Sequence, residues 1–202
     1  MGLTIRDGRK QATRQRVLDA ARDLFEEVGY DETTIRAIAK RAEVSVGSVF
    51  TSFASKAHVL SEVMRGRLDA LYGELERVWP HMRGSTADRC RSLFAVHYAF
   101  ELRRARLFIA FVGASFTWFD DPTISRFGST PRLRAMVAET LREGVTRGEV
   151  RPDTDFERVV DLLLAAYTWN YRLVAPAAPD AAPLIERMDH QIGVIFEGLA
   201  PR

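Results

Sequence analysis

Apolar residues recur three and four positions apart along the chain, and no run alternates with period two over any length, which predicts an all-α fold. The first helix is expected over Lys10 to Val28, with Val17, Leu18, Ala21, Leu24, Phe25 and Val28 as its stripe. Gly29 follows as a left-handed C-terminal residue. A short second helix opens at Thr33 or Thr34, either of which can cap it by accepting from an orphaned backbone N–H. It buries Ile35, Ile38 and Ala39. Ala42-Glu43-Val44 turns the corner, and Ser45 caps a third helix that runs to about Phe53 and buries Val49 and Phe53. Ser55 caps a long fourth helix whose apolar face runs from Val59 to Val78, on the order of 35 Å at 1.5 Å per residue.

Beyond it the pattern predicts helices at 87–103 and 105–119, the latter stopped by Asp120-Asp121-Pro122. A seventh starts at Thr130-Pro131, where the missing proline N–H costs least, and ends near Arg147-Gly148. Thr154-x-x-Glu157 reads as a capping box for an eighth. After a stiff connector, Ala175 to Pro183, a last helix carries Leu184, Met188, Ile192, Ile195 and Leu199. About nine helices result, with a helix-turn-helix domain expected at 1–55 and a helical bundle at 56–202.

The third helix presents only small or short side chains at Ser45, Val46, Gly47, Ser48, Thr51 and Ser52, so it can enter a groove that bulkier side chains would block. The string TRQRVLDAARDLFEEVGYDETTIRAIAKRAEVSVGSVFTSFASKAHVL resembles the N-terminal domain of the TetR (tetracycline repressor) family of transcriptional regulators. Phe25, Gly29 and Tyr30, the Thr-Thr start, Ile-Ala before the turn, Val-Ser opening the third helix, and Phe50, Phe53 and Lys56 carry the likeness over about a quarter of the chain. The resemblance implies phosphate contacts from Thr34, Arg36 and Lys56, helped by backbone N–H groups at those helix starts. It places base reading on Val46, Gly47, Ser48 and Thr51, with Ser45 on the same surface but read first as a cap. Family members usually carry Tyr, whose hydroxyl reaches a phosphate, where Phe50 stands; Phe50 keeps only the aromatic packing role. With no Arg or Asn on this helix for bidentate base contacts, recognition is expected to lean on methyl contacts, hydroxyls and DNA shape.

Charge sharpens this picture in one place. The formal net charge is only +2, yet the first sixteen residues hold Arg6, Arg9, Lys10, Arg14 and Arg16 against Asp7, a local +4. Beside a helix-turn-helix, such an arm, Arg14 included, suits phosphate or minor-groove contact. An apolar fraction of 47% is ordinary for a folded protein. Cys90 is the only cysteine, so no intrachain disulfide can form and a reducing cytoplasm fits. Met1 to Gln11 is polar, without a leader pattern, and Leu107 to Phe119 is too short to span a bilayer; no membrane role is expected.

Catalysis is not expected. His58, His81, His97 and His190 fall in no metal-ligand spacing, Cys90 has no second thiolate, and no phosphate loop or nucleophile elbow occurs, so neither metal nor cofactor is predicted. The second half is rich in aromatics interleaved with polar groups, the composition of a small-molecule site. Phe94, His97, Tyr98, Phe111, Trp118, Trp169 and Asn170 are the candidate lining, with His97 and Asn170 as anchors for an apolar or aromatic effector. In the resembled family such a pocket lies within the bundle. The Leu184–Leu199 stripe is too apolar to leave exposed, and the family's last two helices pair into a homodimer on a palindromic operator. The sequence thus points to a ligand-released repressor. A regulator of this fold without ligand response, or a helical protein that no longer reads DNA, are the alternatives.

Overall fold

The computed structural model describes residues 5–115, 131–174 and 179–200. Among these lie nine α-helices and no strand: α1 Ile5–Glu27, α2 Ile35–Arg41, α3 Val46–Ser52, α4 Lys56–Val78, α5 Thr86–Leu102, α6 Ala105–Ser115, α7 Pro131–Thr146, α8 Phe156–Asn170 and α9 Ala182–Leu199. Single 3-10 turns follow α4 and α8. The expected helix stop at Asp120-Asp121-Pro122, Trp118, Thr130 and the start of the connector at 175–178 lie outside the described residues.

The chain divides into two compact units. The first holds α1 to α3, α4 as far as Asp69, and α6 from Arg106; the second holds Ala70 to Ala105 and the helices from α7 onward. In the first unit, α1, α2 and α3 pack on one another around Val17, Ala21, Phe25, Ile38, Val49 and Phe53, all essentially without exposure. Helix α1 begins five residues earlier than periodicity predicts, so the basic segment is helical from Ile5 rather than an extended arm. Asp7 in the first turn favours the positive helix end. Gly8, the one poor helix former there, costs only about 1 kcal/mol. Val28 falls just past the helix end and is exposed instead of completing the stripe. Gly29 is left-handed, at φ +92°.

In the second unit α5 packs against α7 and α9, and α8 against α7 and α9. Ser85 and Asp88 form a reciprocal capping box at the start of α5. Glu149 adds to it, its carboxylate accepting from the Thr86 N–H and hydroxyl, both at 2.5 Å. Gly144 of α7 approaches so closely that a Cβ there would lie 2.6 Å from Thr86 Oγ1. Two expectations change. The cap of α8 is Asp155, accepting from Arg158 N at 3.3 Å; the helix starts at Phe156, which puts Glu157 too early to close a box with Thr154. The Leu184, Met188, Ile192 and Leu199 stripe is buried within the chain, so it is not a surface awaiting a second copy. No helix among the described residues is long and apolar enough to cross a membrane.

Candidate nucleic-acid interface and buried polar core

The helix-turn-helix is held in shape by polar atoms turned onto its own backbone. Thr34 caps α2, its hydroxyl accepting from Ala37 N at 3.1 Å, while buried Thr33 donates to the Gly29 carbonyl at 2.7 Å. The corner between α2 and α3 is tight enough to force Glu43, which has a side chain, to φ +55°. Ser45 caps α3 by accepting from Ser48 N at 3.0 Å. Val49 and Phe53 point into the core, leaving Val46, Gly47, Phe50 and Thr51 exposed and Ser48 half-buried on the outside. The packing role expected of Phe50 is not realised: its ring is 53% exposed, because Val49 and Phe53 occupy the two inward positions.

Of the expected phosphate contacts, Thr34 and Arg36 are exposed. Lys56 and Arg14 are engaged inside the unit. The Lys56 ammonium donates to the Tyr30 and Asp31 carbonyls, at 2.8 and 3.2 Å, and sits 4.3 Å above the Tyr30 ring. Arg14 pairs with Glu62 of α4, which also holds Arg65 at 2.6 Å, and its guanidinium lies 4.9 Å over the Phe53 ring. Burial, then the nearby Arg65, lower the Arg14 pKa from its usual value. Glu62 is 7% exposed and went unnoticed in the sequence, although an acid within the buried run from Val59 to Met64 is the signal of a paired charge.

The second unit gathers its polar groups inside. Glu101, buried on α5, accepts from the hydroxyls of Tyr167 and Tyr171. Tyr98 donates to the Tyr167 carbonyl at 3.0 Å and accepts from Asn170 at 3.2 Å. Asn170 also pairs with the Gln191 amide, at 2.8 Å in one direction and 3.3 Å in the other. Burial, then the Glu101 carboxylate, push the Tyr167 and Tyr171 phenols well up, so both stay protonated donors. His97 lies among these rings, 5.5 Å from Tyr72 and 5.9 Å from Tyr167, with Nδ1 3.6 Å from Glu101 Oε1. Neither of its ring nitrogens has a hydrogen-bond partner among the described residues, although the side chain is 99% buried.

Phe94, His97, Tyr98 and Asn170 therefore come together, with Glu101, Tyr167, Tyr171 and Gln191 added. Glu101 had a readable signal, an acid one turn from His97 on an apolar face. Trp169 stands apart, 59% exposed with Arg172 4.3 Å over its ring, and Phe111 is buried in the first unit. Cys90 is fully buried, which pushes its thiol up to about 12.

The profile of bacterial regulatory proteins of the tetR family matches residues 17–63, which is the helix-turn-helix with its flanking helices. Residues 17–63 thus match the helix-turn-helix region of TetR-family regulators. The HTH-type transcriptional repressor KstR2 of Mycobacterium tuberculosis is 27% identical over 183 residues, 85% of this chain and 86% of that protein. KstR of Rhodococcus jostii, also a repressor, is 40% identical over 65 residues, 32% of this chain and 27% of its own length. Thermus thermophilus FadR, a TetR-family repressor solved with lauroyl-CoA, is 28% identical and superposes with a TM-score of 0.70 over 94% of this chain and 96% of that one. Like the regulators it is similar to over most of its length, this chain is a DNA-binding transcriptional regulator and not an enzyme. Its TetR helix-turn-helix presents a short, carbon-rich α3 where bulky polar readers are absent.

Proposed function

We propose that this chain is a homodimeric repressor, released from a palindromic operator by an apolar or aromatic small molecule bound in the bundle. The observation that carries the reading is the outward face of α3, exposed and lightly built on a backbone fixed by the Thr34 and Ser45 caps. In this reading residues 1–55 bind DNA through Thr34, Arg36, Val46, Gly47, Ser48, Phe50 and Thr51, and residues 56–202 bind effector and a second copy. Two α3 helices would occupy successive major grooves, roughly 34–36 Å apart.

Support for the dimer comes from what α8, the turn after it and α9 leave outside. Leu162, Trp169, Leu173 and Val194 are 54, 59, 46 and 70% exposed, apolar area of the kind that partners cover. A surface cleft of about 560 Å³ between Leu173, Pro183, Glu186, Arg187, His190 and Gln191 adjoins that face. Support for an effector comes from His97, buried among aromatic rings with neither nitrogen hydrogen-bonded among the described residues, and from the acyl thioester bound by the related FadR. Helix α4, with residues 56–69 in one unit and 70–78 in the other, is the covalent element through which occupancy would act. A second reading, regulation without a small molecule, gains from the full pairing of Tyr98, Asn170 and Gln191.

Purified protein titrated onto its own upstream DNA at two salt concentrations tests the reading. Tight binding to a palindrome that weakens with salt is expected, because phosphate contacts release counterions. Saturating lauroyl-CoA, the first effector to try, should weaken binding about 5- to 150-fold, the span of a typical allosteric coupling. Binding no tighter than to random DNA across upstream and genomic fragments would overturn the repressor reading. Tight operator binding indifferent to lauroyl-CoA and to a panel of apolar ligands would favour the second reading.

A further inference from the structure

The outer face of α3 is chemically unusual because its polar atoms are engaged within the helix itself. The Ser48 hydroxyl lies 2.8 Å from that of Ser45, and the Thr51 hydroxyl donates to the Gly47 carbonyl at 2.9 Å. Gly47 offers no side chain. What remains facing out is Val46 and Phe50, 37 and 53% exposed, and their spacing of four places them one above the other on one side of the helix. The helix, VGSVFTS, holds no Arg, Lys, Asn or Gln that could fork onto a base edge. The phenylalanine ring has no hydroxyl with which to reach a phosphate.

The floor of the major groove displays hydrogen-bonding groups at every base pair and one apolar group, the C5 methyl of thymine. Valine and phenylalanine laid on guanine or cytosine edges would strip water from donors and acceptors and give nothing back. Laid on thymine methyls, they bury carbon against carbon. Building on the DNA-binding reading above, we propose that this regulator reads each operator half-site chiefly through thymine methyl groups docked on Val46 and Phe50. These two residues, rather than the serines and threonine beside them, set base preference. The exposed ring lies within residues 17–63, the stretch matched by the tetR-family model, and on the second helix of a helix-turn-helix, which favours the duplex as its occupant over a protein partner.

The test starts from the full-length protein and a random-sequence DNA duplex pool, from which bound sites are selected and sequenced. Each thymine of the selected site is then replaced singly by deoxyuridine, which removes the methyl and leaves base pairing and both grooves' hydrogen-bonding groups unchanged. One or two positions per half-site should weaken binding about 3- to 10-fold on losing the methyl, the scale of one carbon group withdrawn from apolar contact. Phe50→Ala should erase the thymine-over-uracil preference at one such position and Val46→Ala at another, while Ser48→Ala leaves both preferences intact. Both side chains are exposed, so unchanged helical melting curves will certify that these variants fold. A guanine-rich consensus, or thymines that tolerate uracil throughout, would overturn the proposal and leave DNA binding standing. A pool with no enriched sequence would overturn both.

Discussion

Phe50 of the first unit and the inward tyrosines of the second occupy opposite settings. In the helix-turn-helix, Phe50 is left half outside, and neighbouring hydroxyls fold back onto backbone or onto one another. In the bundle, Tyr98, Tyr167 and Tyr171 are driven inside together with their hydroxyls, which find Glu101, Asn170 and a carbonyl as partners. A buried phenol requires a partner or costs its desolvation, so each inward tyrosine had to bring a polar side chain with it. A ring without a hydroxyl carries no such demand and is free to remain at a surface that another molecule will cover. The contrast separates a ring left at the surface from an interior whose rings are held by a polar network.

The largest effect is expected where that network is cut. Glu101→Leu removes the acceptor shared by the Tyr167 and Tyr171 hydroxyls in a buried site and should cost about 2–6 kcal/mol, at 1–3 for each bond lost. Urea unfolding of the full chain measures it, with Phe50→Ala as the counterpart; lying on the surface, it should shift stability by less than about 0.5 kcal/mol. Comparable losses in the two variants would erase the distinction between the units.

A smaller effect concerns the caps, which both units share. At the start of α5 the Ser85 hydroxyl and backbone N–H, with Arg91 behind them, hold the Asp88 carboxyl below its usual range against a small opposing effect of burial. A carboxylate depressed in the folded state stabilises fully above the unfolded pKa and ceases to do so as pH falls through the folded one. The melting-temperature gap between the natural protein and Asp88→Asn should hold steady near neutrality and narrow as pH falls below the ordinary carboxylate range. A gap that widens on acidification would contradict that sign. The smallest effect has the opposite direction. Glu43 sits in a left-handed conformation that glycine adopts freely, and Glu43→Gly should gain about 0.5 kcal/mol after the greater freedom of the unfolded chain is deducted. Thermal denaturation resolves it, and a loss of stability would mean that the Glu43 side chain holds the corner.

Most of what could be read ahead of the structure was chemistry that closes within four residues, although the cap of α8 proved to be Asp155 and not Thr154. Thr34, Ser45 and Ser55 cap their helices as the spacing requires, and Gly29 turns left-handed where the first stripe ends. Less legible was any charge whose partner lies far along the chain. Arg14 and Lys56 looked free for phosphate, yet Glu62 and the Tyr30–Asp31 carbonyls claim them from 48 and 25–26 residues away. Periodicity also names a buried face without naming what buries it. The Leu184–Leu199 stripe meets α5 and α8 of its own chain, and the apolar residues left outside, Leu162, Trp169 and Val194, fall off that stripe. The same limit applied to Phe50, since an aromatic beside Val49 and Phe53 is inward or outward by a single position of helical register.

Cys90 sits fully enclosed, and that burial pushes its thiol up to about 12. Reagents that attack thiolates will therefore pass the native chain by. One cysteine introduced at an exposed position, such as Lys10 or Glu186, becomes a unique chemical handle without any need to remove the natural one, and a dye placed there can follow DNA docking.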